Sequence, residues 1–257
     1  MWQCLKAVLL GTLFYLTSLS PSYALQLAVA SNFAKPMRAL LDAYPDQSVE
    51  IGVSFGSTGQ LYTQIEHGAP FHIFLAADQQ RPHRAVNNKL AVPGSQFSYA
   101  QGRLVLWGPY WETEVTQDAL ASNLGSRIAM ANPKIAPYGL AAQQCQQYFS
   151  DLLPTKPTLI VAQNVGQSFQ FTSSGNVDFG YVSLSQVLGD QASSRYWILP
   201  QACYQPILQD AVLLSNAATN RDALAFFAYL KSPAAQQIIQ EHGYHVLAKP
   251  IKENDEP

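Results

Sequence analysis

Charge is what this chain has least of. Asp, Glu, Lys and Arg make up 12% of its 257 residues and nearly cancel, leaving a net charge of −2. An ordinary globular domain carries about twice that charged share. Without a basic excess, nucleic acid and anionic membrane surfaces are excluded as partners. Cysteine is scarce as well: beyond Cys4 there are only Cys145 and Cys203, and neither has a Cys or His at ligand spacing, which argues against a metal site. His67, His72 and His83 share no helical or strand spacing that would converge on a metal, so surface positions are expected for them. No glycine-rich loop closes with Lys-Ser or Lys-Thr, which removes a nucleotide-phosphate loop of that kind. Past the first two dozen residues no run is apolar enough to span a bilayer.

What is there begins with an export signal. Lys6 gives a weakly positive start, residues 7–16 are apolar, and Ser22-Tyr23-Ala24 places small residues where a signal peptidase reads. Residues 1–24 therefore read as a signal peptide cleaved after Ala24, and the mature chain as an exported, periplasmic protein; an uncleaved anchor is the alternative. Cys4 leaves with the signal. Cys145 and Cys203 then form a disulfide or remain two buried thiols, and the sequence favours neither. Residues 251–257 read as a disordered tail.

Between these ends, strand-like and helix-like stretches alternate. Residues 27–30 form a short apolar run that stops at Ser31-Asn32, both good helix caps. A helix pattern follows, with Phe33, Met37, Leu40 and Leu41 on one face. Val49, Ile51, Val53 and Phe55 alternate as in a strand, and a second helix carries Leu61 and Ile65 and stops at Gly68. Further strands are expected at 71–76, 103–107, 128–131, 158–161, 177–182, 196–199 and 207–214. Helices are expected at 79–88, after Tyr138-Gly139, after Asn164, at 221–230 and from Ser232 to Gly243. This alternation implies an α/β fold with mostly parallel sheets, in one large domain or two lobes.

One feature recurs at strand ends. Ser31-Asn32, Ser57-Thr58-Gly59 and Asn164-Val165-Gly166 each put small hydroxyl or amide residues where a helix begins, and Tyr138-Gly139 opens another. Helix N-termini expose unpaired N–H groups and a partial positive charge, so they bind anions without Lys or Arg. Ordinary capping explains any one of them; several together favour a shared anion site. The same stretch offers a competing motif, because residues 52–56 (GVSFG) match the nucleophile elbow of α/β-hydrolases. Ser54, however, falls inside the strand alternation and not on a turn, and neither His242 nor His245 has supporting context.

The stretches LAVASNF (27–33), FGSTGQL (55–61), QIEHGAP (64–70), FLAAD (74–78), GRLVL (102–106), PYG (137–139) and GYV (180–182) resemble the periplasmic molybdate-binding proteins of ABC importers. The resemblance runs in order along the mature chain. It implies a two-lobed, type 2 periplasmic-binding-protein fold. Each lobe would be a mixed, mostly parallel sheet flanked by helices, joined to the other by two crossing strands near 104–107 and 210–215. The lobes would comprise 25–104 with 215–250, and 105–214. It implies an anion in the cleft, held by Ser31, Asn32 and Thr58 from one lobe and by Tyr138 and the main chain of Val165 from the other. Ser57 and Ser183 are additional candidates. Many relatives place a Tyr hydroxyl near the position of Ser183, and Tyr138 is the candidate to supply it here. His72 stands where an Asp is usual.

The function so implied is capture of molybdate or tungstate and delivery to an ABC permease at the inner membrane. It would be performed by a monomer that is not an enzyme, with no cofactor and no metal beyond the oxyanion's own. A fully deprotonated dianion wants donors only, whereas phosphate needs an acceptor for its remaining proton, and no Asp or Glu stands at these strand ends. Sulfate is chemically alike, so its exclusion rests on the resemblance, and molybdate and tungstate are not separated. The alternatives carried forward are a binder of another oxyanion such as sulfate, and a serine hydrolase using Ser54.

Overall fold

The computed structural model describes residues 25–110, 115–116, 126–150, 157–188 and 196–246. The expected signal peptide and C-terminal tail lie outside the described residues. Two five-stranded sheets organise the chain. The first has the order β2-β1-β3-β10-β4, from β1 (Leu25–Ala30), β2 (Ile51–Gly56), β3 (Ile73–Leu75), β4 (Phe97–Gly102) and β10 (Ile207–Leu213). The second has the order β7-β6-β8-β5-β9, from β5 (Leu104–Trp107), β6 (Arg127–Ala131), β7 (Thr158–Ala162), β8 (Phe179–Ser183) and β9 (Tyr196–Ile198). In each sheet the first three strands of the order are parallel, and the strand adjoining a crossing runs antiparallel to its neighbours. This is the two-lobed α/β arrangement expected.

The apolar runs are explained by two-sided burial. In β1, Leu25, Leu27 and Val29 join Phe33, Met37, Leu40, Phe226 and Ile239 on one face, while Ala28 packs with Leu61, Ile65 and Phe74 on the other. Helices α1 (Ala34–Asp42), α2 (Thr58–Glu66), α3 (Gln80–Asn87), α7 (Arg221–Tyr229) and α8 (Pro233–Glu241) cover the first sheet. Helices α4 (Pro137–Tyr148), α5 (Val165–Ser173) and the short α6 (Leu184–Val187) cover the second. Gly68 follows the α2 cap at φ +81°, the left-handed residue that lets a helix stop there.

The chain leaves the first sheet between β4 and β5 and returns between β9 and β10. The outward crossing is at Arg103, just before the expected 104–107, since β5 already belongs to the second sheet. The return departs further: β10 pairs with β3 and β4, so residues 207–213 belong to the first sheet and the crossing precedes them, at 199–206, instead of lying at 210–215. β4 has no strand signal in the sequence, because its alternation stops after Phe97 and Tyr99, where Gln101 takes the next position on that face. Cys145 on α4 and Cys203 in the returning segment are bonded, with Cα atoms 4.6 Å apart and a sequence separation of 58. The bond ties α4 to the second crossing.

Candidate functional site

The two sheets face one another across a cleft, and helix N-termini from both sides meet in it. A small cavity there is lined by Ser31, Asn32, Ser57 and Thr58 from one side and by Ala136, Tyr138 and Val165 from the other. It is narrow, with room for about one water molecule between the two sides. No charged side chain lines it. Ser31, Asn32, Thr58, Tyr138 and Val165 are all buried.

The capping bonds show which donors remain. In α2 the Gln60 N–H is accepted by Ser57 Oγ, Leu61 N–H by the Ser57 carbonyl, and Gly59 N–H by the Ile135 carbonyl. In α5 the Gln167 N–H is accepted by Asn164 Oδ1, Ser168 N–H by the Asn164 carbonyl, and Gly166 N–H by Ser31 Oγ at 3.3 Å. Helix α4 starts at Pro137 after Ala136, which offers no side-chain cap. Among the described residues, the N–H groups of Thr58, Tyr138 and Val165 therefore have no protein acceptor, and all three residues line the cavity. Buried N–H groups without acceptors are rare and costly in a folded protein. Three at one cavity, each carrying the positive end of a helix dipole, are donor chemistry suited to an anion without a formal charge.

Two hydroxyls join them. Thr58 Oγ1 accepts from the Ala77 N–H at 3.0 Å, and Ser31 Oγ from Gly166 N–H. Each is occupied as an acceptor, so its own proton is free to donate. Ser57 also lines the cavity, but its hydroxyl donates to Gln60 Oε1 at 2.9 Å.

Three side chains sit differently from expectation. Asn32 Nδ2 donates to Gln209 Oε1 (2.9 Å) and to the Tyr244 hydroxyl (3.0 Å), so its amide protons are committed away from the cavity. The Tyr138 hydroxyl lies 3.4 Å from Gln209 Nε2 and close beside Gly102, and neither residue lines the cavity; this phenol does not replace the tyrosine of relatives. Ser183 is removed from the cavity altogether, since it caps α6 by a reciprocal pair of bonds with Gln186. Sequence reasoning missed the network beneath the site: Tyr99 donates to Gln209 Oε1 and Tyr244 donates to the Asn32 carbonyl. Burial holds the Tyr99 and Tyr138 phenols well above their usual pKa and pushes Tyr244 to about 12, so all three stay neutral. Contacts between residues so far apart in sequence leave no local signal.

His72 also departs from expectation. It is half-buried beside β3, and its Nδ1 accepts the Gln26 N–H at 2.8 Å, an acceptor role that a carboxylate also fills. His67 and His83 are exposed, and no metal-holding group of His, Cys, Asp or Glu is found among the described residues. Ser54 sits within β2 in regular register opposite Ala28, with no turn around it. An elbow needs that turn to expose its nucleophile, so the geometry of the hydrolase alternative is missing.

Known proteins of similar sequence and fold place the chain in a family. A family described as "Bacterial extracellular solute-binding protein" matches residues 25–245. The "Molybdate-binding protein ModA" of Rhodobacter capsulatus is 40% identical over 218 residues, 84% of this chain and 86% of that protein. The solved periplasmic molybdate-binding protein of Azotobacter vinelandii superposes with a TM-score of 0.81 at 36% identity, over 87% of this chain and 100% of that one. The sulfate-binding protein SubI of Mycobacterium tuberculosis, at 12% identity and a TM-score of 0.64 over 88% of this chain and 87% of that one, shares the fold alone. The chain belongs to the bacterial extracellular solute-binding protein family.

Proposed function

We propose that this protein captures molybdate or tungstate in the cleft between its lobes and delivers it to an ABC permease at the inner membrane. One observation carries the reading: a buried, uncharged cavity where the N–H groups of Thr58, Tyr138 and Val165 lack acceptors and the hydroxyls of Ser31 and Thr58 have protons to donate. A small dianion with no proton of its own matches a ring of donors with no acceptor. Tyr138 and Val165 act through their main chains, while the Asn32 amide braces the site from below. The names carried by relatives at 40% identity favour molybdate over sulfate. The mature protein begins at Leu25, works in the periplasm as a monomer, and requires no cofactor.

A thermal-shift panel of molybdate, tungstate, sulfate and phosphate tests the reading. Molybdate and tungstate are expected to raise the melting temperature at micromolar concentration and phosphate to leave it unchanged. A shift with sulfate alone would assign the site to that smaller ion, and a shift with phosphate would refute the donors-only account. N-terminal sequencing of exported protein is expected to return Leu25; finding Met1 would contradict cleavage.

A further inference from the structure

Main chain meets main chain across the cleft at one point that is not part of the anion's donor set. The Gly59 N–H donates to the Ile135 carbonyl at 2.8 Å. Gly59 is next to Thr58 in the first turn of α2, and Ile135 lies two residues before Pro137, where α4 begins. The contact thus spans the two helix ends that face the cavity from opposite lobes. It exists because residue 59 has no side chain: a β-carbon there would stand 2.9 Å from Ile135 Cβ and 3.0 Å from both its Cα and its carbonyl oxygen. Carbon pairs settle at roughly 3.5–4.0 Å, and two of these three atoms are backbone, unable to rotate away. Helix α2 itself does not ask for glycine. No positive φ occurs at residue 59, and alanine is the better helix former with less entropy to lose on folding.

We propose that Gly59 is a positioning residue: its bare backbone is the stop against which the two lobes close, and it sets the span between the donors of Thr58 and Tyr138. The inference rests on the oxyanion reading and deepens it by naming what fixes the size of that site. Lobe closure about hinges is the motion of this architecture. A β-carbon at residue 59 holds the two helix ends a few tenths of an ångström too far apart for one small ion to be bonded from both. The penalty falls on the closed, liganded state, because residues 59 and 135 part when the cleft opens. Apparent affinity drops with the fraction of molecules able to close, and the loss appears as faster release.

The experiment compares the parent with Gly59→Ala, using molybdate as the probe, in calorimetric titration, stopped-flow release and thermal unfolding without ligand. Gly59→Ala is expected to unfold at or above the parent's temperature without ligand. It should bind molybdate roughly ten- to a hundredfold more weakly, the range that overpacking produces, mostly through the dissociation rate. An alanine variant with the parent's affinity and release rate overturns the proposal. So does one destabilised without ligand, because the helix and not closure would then require glycine. A parent that binds no tetrahedral oxyanion refutes the underlying reading instead, an outcome distinct from either.

Discussion

Ser31 and Thr58 do two jobs with one hydroxyl each. Their oxygens accept main-chain N–H groups, Gly166 and Ala77 respectively, which fixes each rotamer and leaves one proton to donate. Ser31→Ala and Thr58→Val are each expected to weaken molybdate binding about ten- to a hundredfold, the worth of one donor to a charged group. Asn164→Ala is expected to cost less, because its side chain only caps α5. Arg38→Gln, at the cleft mouth, is expected to cost less than either hydroxyl variant, since the anion is held by neutral groups. Calorimetric titration of the four variants checks the ranking. A Thr58→Val variant that binds like the parent would put the site elsewhere.

His72 carries the pH dependence at this scale. Burial lowers its pKa below the usual value, and protonation would turn the acceptor facing Gln26 N–H into a donor. The unfolded chain therefore takes up the proton first as pH falls. The stabilisation is complete above the unfolded-state pKa of about 6.5 and is lost as pH drops through the lower folded-state value. His72→Asn keeps an acceptor but cannot titrate, so urea midpoints measured from neutral pH downward should fall less steeply than the parent's. Identical slopes would remove His72 from the account.

At the scale of elements, the disulfide makes the sharpest prediction. It joins α4, whose first turn supplies the Tyr138 N–H, to the returning crossing. Closing a loop of 58 residues is worth about 4 kcal/mol by chain entropy. Reduction should lower unfolding stability by that order, and thiol titration of the denatured, unreduced protein should find no free thiol from Cys145 or Cys203. Two free thiols would refute the bond. Elements were legible wherever the signal was local. The caps at Ser57 and Asn164, the stop at Gly68 and the Ser232 start of α8 agree with the sequence, because a cap or a left-handed glycine acts within one turn. β4 is not legible because Gln101 ends the apolar face begun by Phe97 and Tyr99. β10 was read as a strand but assigned to the wrong sheet, since its apolar run would suit either one; pairing with β3 and β4 is decided by long-range packing.

At the scale of the molecule, the site exists only where the two lobes meet. Ser31 reaches Gly166, Gly59 reaches Ile135, and Lys35 on α1 donates to the carbonyls of Gln186 and Leu188 at 2.8 and 3.1 Å. Each bridge joins residues from opposite lobes, which explains why the sequence disclosed the helix ends but not the partners that hold them together. Beneath the cleft, Tyr99 and Gln209 on the two crossing-side strands of the first sheet brace Asn32, coupling the hinge region to the cavity floor. The central claim is that a tetrahedral oxyanion is held here by main-chain N–H and hydroxyl donors alone. The most direct test is an anomalous difference map at the molybdenum edge from crystals of the mature chain grown with molybdate. The account predicts a single strong peak between the N–H groups of Thr58, Tyr138 and Val165, within hydrogen-bonding reach of Ser31. A peak beside a lysine or arginine, or an empty cleft at saturating molybdate, would contradict it.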